Sequence, residues 1–223
     1  MFLIITKKIW NKRNYSNLDK RKFKISNKVS SKIISKIKPK IIFFIHWSKK
    51  ISENLLKKNL CIQFHSSDLP KFRGGSPIQN QILRKVIKTK ISAFKVNNFI
   101  DAGDICLKKD FYLKGNAENI YQNMEKKCIQ MIRIISKKKK LKFYKQLGKI
   151  SFFKRRKLEQ SNLIKNNFKD YSSLFDFIRM LDADGYPKAF INIGKFRIKL
   201  SNASLNKKNI TGKFKINFKR FNK

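Results

Sequence analysis

The feature that most limits what this chain can fold into is a set of short apolar runs, Phe2 to Ile5, the unbroken Ile41 to Ile45, and Leu60 to Phe64 with Gln63 as its one polar residue, separated by lysine-rich polar stretches. A run of this length without alternating polar residues reads as a strand covered on both faces, the situation of strands in a parallel sheet. Between the first two, Val29, Ile33, Ile34 and Ile37 lie at helical spacing and Pro39 ends the helix, giving a strand, helix, strand unit. A helix over Glu53 to Lys58 leads to the third run. Another starts at Pro77, with Ser76 as its N-cap and proline at its first position. A strand over Ile91 to Val96, a strand pair near Ile105 to Leu107 and Phe111 to Leu113, and a long helix from about Ala117 to Ser136 continue the alternation. The tail reads as a helix over Ser173 to Leu181, a turn at Asp184 to Pro187, and strands Ala189 to Ile193 and Phe196 to Leu200 joined through Gly194. The expected fold is α/β: a Rossmann-like, mostly parallel sheet with helices on both faces, plus a small C-terminal helix and β-hairpin extension. The expected division is a principal domain over residues 1–160 and an extension over 161–223 that closes it.

Several classes are disfavoured at once. The glycine-rich phosphate loop that dinucleotide enzymes place after their first strand needs early glycines, and none occurs before Gly74. Cys61, Cys106 and Cys128 show neither pairing nor metal-ligand spacing, so no disulfide framework or metal site is expected, and a reducing cytoplasm fits. The apolar run at the N-terminus is short and lacks a small-residue cleavage site, and no segment approaches the roughly 20 apolar residues needed to span a bilayer. A soluble protein with no membrane partner is the expectation.

The formal net charge of +42 invites a polyanionic partner. Yet the excess is mostly lysine, 45 against 10 arginines, spread from Lys7 to Lys223 alongside abundant Asn, Ile and Phe. These residue types rise together in an A- and T-rich genome, whereas phosphate readers favour the arginine fork. The first reading is therefore drift on a solvated surface; the second is attraction to an anionic substrate, a nucleotide sugar or an RNA. Lys137 to Lys165 is read in the same way, as a surface connection.

The chemistry concentrates in QFHSSDLPKFRGGSPIQ, Gln63 to Gln79, and in IDAGDI, Ile100 to Ile105. His65, one of 2 histidines, stands at the C-terminal end of an expected parallel strand, where open α/β sheets place their ligands. A histidine alone is more often a satisfied structural residue. Here it is followed by Leu69-Pro70, Arg73-Gly74-Gly75 and a capped helix, a loop whose backbone is free to approach a ligand and whose arginine is ready for an anion. IDAGDI alone could be no more than an Asp-rich turn.

Together these segments resemble the signatures of the folate-dependent formyltransferases. Members carry Asn-x-His, a Leu-Pro-x-x-Arg-Gly loop, a helix beginning Pro-Ile-Gln, and then Asp-x-Gly-Asp. FIRMLDADGYPKAFI, Phe177 to Ile191, is similar to the Ile-Arg-Ala…Pro-x-Ala-Phe segment that closes the catalytic domain in the sugar and tRNA members. A weaker match lies at Lys8 to Asn11. The resemblance implies an enzyme that moves the formyl group of 10-formyltetrahydrofolate to a primary amine, with residues 1–160 as its catalytic domain. It implies His65 as the imidazolium donor to the developing oxyanion, Asp101 as its charged partner and proton acceptor, and Gln63 as the amide donor where the family has asparagine. It places the folate pterin against His46 to Ser52 and Asn97 to Ile100, hence Trp47, Lys50, Ile51, Asn98 and Ile100, with Trp47 equally at home as ordinary packing. Arg73, Gly74, Gly75 and Ser76 would border the acceptor.

Three acceptor readings stay open. Full-length methionyl-tRNA formyltransferases continue into a C-terminal β-barrel, and about 30 residues beyond Gly194 look too few for one. FFIHWSKKIS and the motif after it also resemble stand-alone amino-sugar enzymes, so a nucleotide-linked amino sugar is ranked first and charged tRNA second. A basic nucleic-acid-binding protein on a decayed catalytic fold is the third. A homodimer is one assembly open to such a chain.

Overall fold

The computed structural model describes residues 1–218. In chain order it runs β1 (Phe2–Thr6), α1 (Arg13–Ser16), β2 (Phe23–Ser26), α2 (Ser31–Ile37), β3 (Ile41–Ile45), α3 (Glu53–Lys58), β4 (Cys61–His65), β5 (Arg73–Gly74) and α4 (Pro77–Ile82). The chain continues through β6 (Lys88–Lys95), β7 (Ile105–Tyr112), α5 (Ala117–Lys137), β8 (Phe152–Phe153), α6 (Tyr171–Arg179), β9 (Ala189–Ile193), β10 (Phe196–Leu205) and β11 (Ile210–Phe218). The central sheet has the order β2-β1-β3-β4-β6-β7; the first four strands are parallel, and β6 and β7 are antiparallel to their neighbours.

Alternation along each strand decides what covers it. Leu3, Ile5, Ile42 and Phe44 point to one face, where Ile33, Ile34 and Ile37 of α2 and Leu55 and Leu56 of α3 pack on them. Ile4, Phe43, Ile45, Ile62 and Phe64 point to the other, against Ile120, Met124, Cys128 and Ile132 of α5. Continuous apolar runs thus mean two covered faces, as expected, and the mostly parallel α/β fold holds.

Three departures share a cause. The first crossover contains an additional strand, β2, which pairs with β1 at the sheet edge and buries only Phe23. The expected strand pair around residues 105–113 is one strand, β7, unbroken through Lys108, Lys109 and Asp110. The C-terminal hairpin is a three-stranded antiparallel sheet, because Ile210–Phe218 adds to β10 although it alternates Phe214, Ile216 and Phe218 with lysines. All three are edge strands, whose outer faces tolerate charge, so apolar pattern under-reports them.

Helix α5 also anchors the loop after β1. Glu125 is fully buried, and its carboxylate accepts from the Trp10 N–H (3.0 Å), the Asn11 N–H (2.9 Å), Asn14 Nδ2 (3.0 Å) and the Tyr15 hydroxyl (2.9 Å). Burial and this carboxylate push the Tyr15 phenol well above its ordinary range. Cys61, Cys106 and Cys128 are free thiols in the core, and burial raises the first two to about 12.

Glu125→Leu should cost about 3 kcal/mol or more, because it leaves the Tyr15 hydroxyl and three part-buried donors without their acceptor. Urea unfolding measures this; an unchanged midpoint would mean that the loop is held by other contacts.

Candidate functional site

A cleft of about 840 Å³ opens along the sheet beside the C-terminal end of β4. Gln63 and His65 are two positions apart on this strand, so their side chains leave the same face, and both line the cleft. His65 is 6% exposed and Asp101 8%, and His65 Nδ1 stands 3.5 Å from Asp101 Oδ2. On the far side of the ring, Nε2 lies 2.7 Å from the Phe72 carbonyl oxygen. A carbonyl can only accept, so Nε2 carries a proton there, and the second ring nitrogen is the one that faces the carboxylate and the cleft.

Asp101 does not come from the strand end next to His65. Lys95 of β6 stands opposite Ile62 in register, so β6 delivers its loop beside the start of β4, and residues 96–101 run back to bring the carboxylate to the ring. There Asp101 Oδ2 also accepts the Gly74 N–H at 2.9 Å. Four non-glycine residues in the loops around the site hold positive φ: His46 (51°), Phe72 (58°), Ser76 (51°) and Asp101 (50°). Such conformations persist only where surroundings enforce them, and they gather at functional sites.

Of the expected folate-side residues, Trp47, Lys50, Ile51, Asn98 and Ile100 all line the cleft. Trp47 packs on Phe44 with ring centroids 5.7 Å apart, yet its indole N–H is buried without a hydrogen-bond partner. Gln63 turns its amide toward the Trp47 carbonyl at a loose 3.5 Å, so it can be recruited by a better acceptor.

On the other side of the cleft, Gly74, Gly75 and Ser76 line it and Arg73 does not. The Arg73 Nε and Nη2 donate to Gln146 Oε1 at 3.1 and 2.8 Å, so the guanidinium expected to await an anion is spent within the protein. The two glycines serve a neighbouring backbone: a Cβ on Gly74 would strike the Phe153 carbonyl, and one on Gly75 the backbone of Arg155. Ser76 caps α4 in position but not by side chain, since its hydroxyl accepts the Arg156 N–H at 3.1 Å instead.

The stretch read as a surface connection is therefore part of the site. β8 pairs in parallel with β5, with Arg73 N–H to Ser151 O at 2.8 Å and Gly75 N–H to Phe153 O at 2.7 Å, and Phe152 to Arg155 line the cleft. Sequence reasoning also missed Tyr121 and all but hinted at Trp10. Trp10 stacks on Tyr121 at 4.5 Å, and the edge of His46 meets both rings. The Trp10 indole N–H and His46 Nε2 are, like Trp47 Nε1, sealed from solvent and unpartnered. Among the described residues no cluster could hold a metal ion.

Comparison with known proteins places the chain in a family. The family profile described as formyl transferase covers residues 5–133, more than half of the chain, and that of the methionyl-tRNA formyltransferase C-terminal domain covers 158–217. A solved methionyl-tRNA formyltransferase from Clostridium thermocellum superposes with a TM-score of 0.89 at 38% identity, over 98% of this chain and 99% of that one. This chain belongs to the formyltransferase family. A methionyl-tRNA formyltransferase of Thermotoga maritima is 27% identical to it over 175 residues, 73% of this chain and 53% of its own. HypX from Aquifex aeolicus, solved in complex with tetrahydrofolic acid, shares the fold with a TM-score of 0.73 at 17% identity, over 91% of this chain and 37% of that one. The matched segments span 19% to 53% of the length of curated relatives such as those of Rickettsia typhi and Thermotoga maritima.

Burial lowers His46 to about 4, against an ordinary 6.5. The unfolded chain then takes up a proton as pH falls through 6.5 while the folded one does not. The stability contribution of neutral His46 is complete above pH 6.5 and is lost progressively down to about pH 4. His46→Asn, which tolerates the same backbone, should flatten the fall in unfolding midpoint across this window relative to wild type. Equal slopes in the two proteins would place the imidazole in contact with water.

Proposed function

We propose that this chain transfers the formyl group of 10-formyltetrahydrofolate to the primary amine of an aminoacyl-tRNA. The observation that carries the reading is the His65–Asp101 pair, 3.5 Å apart and buried at the wall of a cleft wide enough for a folate and an amine together.

Trp47, Ile51 and residues 97–100 would hold the pterin, with the Trp47 ring as an apolar wall. The bound donor supplies an activated formyl carbon. When the amine attacks, charge develops on the formyl oxygen, and the cleft-facing Nδ1–H of His65, aided by the loosely held amide of Gln63, donates to it. Nε2–H stays on the Phe72 carbonyl, which keeps the ring from turning. The Asp101 carboxylate balances the imidazolium and takes the proton that the attacking amine loses, directly or through water. That proton then passes to the departing folate nitrogen as the carbon–nitrogen bond breaks.

Two observations support charged tRNA over the amino sugar that the sequence alone ranks first. One is the 38% identity to a methionyl-tRNA formyltransferase along nearly the whole chain, together with the C-terminal profile match. The other is charge: Lys7, Lys8, Lys49, Lys50, Lys154 and Arg155 line the cleft, against Asp101 and Asp184. Lys8 is committed to Asp184 at 2.8 Å and lies over the Trp10 ring at 3.9 Å. The rest present a cationic rim to a polyanion.

His65→Ala and Asp101→Ala should each reduce formyl transfer about 10²–10³-fold while the fold is retained. Transfer should be seen with 10-formyltetrahydrofolate and methionyl-tRNA, and it should weaken steeply with salt through counterion release. Transfer to amino-sugar nucleotides, insensitive to salt, would replace the acceptor, and full activity in either variant would end the assignment.

A further inference from the structure

We infer that Gln146 is a positioning residue, and that its neutral amide holds the Asp101 carboxylate against His65. The inference rests on the reading of His65 and Asp101 given above. Gln146 Oε1 accepts from both Arg73 nitrogens, and Nε2 donates to the carbonyls of Asp101 and Gly103, each at 2.8 Å. Both halves of the amide are in use, and each faces a partner that fits only that half.

The circuit closes on the catalytic carboxylate. Gln146 grips the Asp101 backbone; Asp101 Oδ2 accepts from the Gly74 N–H; Arg73, the residue before Gly74, returns to Gln146. Asp101 needs such a grip, because a non-glycine residue at φ 50° is strained by about 1–3 kcal/mol. Gln146 is itself fixed by backbone pairing two residues earlier, where Tyr144 and Ile105 exchange hydrogen bonds of 2.8 and 2.9 Å. The segment holding Gln146 thus joins the strand that follows the aspartate loop to the arginine loop that borders the cleft.

The plainer alternative is a half-buried glutamine that only adds stability. Charge separates the two. Gln146→Glu keeps the shape and the Arg73 contact, but it turns a carboxylate oxygen toward two carbonyls and pushes the loop away. Lys145→Ala removes the neighbouring contact of Lys145 to Asp104 (3.2 Å) and serves as the control.

Two readouts are taken on the whole chain: steady-state formyl transfer with 10-formyltetrahydrofolate and charged tRNA, and the ¹⁵N–¹H resonance of the Gly74 amide, which reports where the Asp101 carboxylate sits. For Gln146→Glu, turnover should fall about tenfold or more, since small misplacements of a catalytic group cost this much. Both KM values should change by less than about twofold. The Gly74 resonance should move, as it should in Asp101→Asn, and Lys145→Ala should leave every value at wild type. Wild-type turnover, a loss confined to KM, or an unmoved Gly74 signal in Gln146→Glu each overturns the inference. If the wild-type protein transfers no formyl group, the proposed function fails, and the Gly74 signal alone still decides whether Gln146 positions Asp101.

Discussion

One carboxylate ties this site together. Asp101 faces the His65 ring, accepts the Gly74 N–H, and is gripped through its own carbonyl by Gln146. Four segments distant in sequence meet there: the end of β4, β5, the loop between β6 and β7, and the stretch between α5 and β8 that carries Gln146. Because the pair is sequestered from water, an imidazolium at His65 would attract the carboxylate more strongly than on the surface, and a displaced loop has more to lose. The sheet fixes the histidine by burying β4 on both faces; the carboxylate lies in a loop and is held there by hydrogen bonds to Gly74 and Gln146. The site is therefore rigid on one side and conditional on the other.

What was legible in the sequence follows from this division. The runs Ile41 to Ile45 and Leu60 to Phe64 announce strands covered on both faces, because they are apolar at every position but Gln63, which faces the cleft. His65 and Asp101 are legible because each sits in a short local motif. Trp10, Tyr121 and Gln146 are not, since each is brought to the cleft by packing from elsewhere, and Gln146 lies in a lysine-rich stretch whose composition suggests only solvation. Gly74 and Gly75 stand where a ligand-binding loop was expected, but the close approach they permit is that of β8. Arg73, expected from the sequence to offer its fork to an anion, places it on the Gln146 amide oxygen.

The excess of lysine also looks different once burial is known. Among the described residues the buried carboxyl and imidazole side chains are His65, Asp101, Glu125 and Asp182, and no lysine or arginine is buried. Among the described residues lysine and arginine thus stay at exposed or half-buried positions. Carboxylates are scarce, with 13 Asp and Glu in the chain, and those that remain inside have several partners each. Glu125 holds the loop that carries Trp10, and Asp182 joins Lys188, Asn116 and the Asn202 N–H at the foot of the C-terminal sheet. In so basic a chain, a buried acid marks a junction of segments.

The three thiols carry a consequence of another kind. Cys61 belongs to a central strand, Cys106 to the outermost one, and Cys128 to the long helix that covers both, and all are shielded and protonated in the folded chain. An alkylating reagent can reach each only when the layer around it parts. Their relative labelling rates would show whether the edge of the sheet frays by itself or the whole interior opens at once, with no dye or engineered probe.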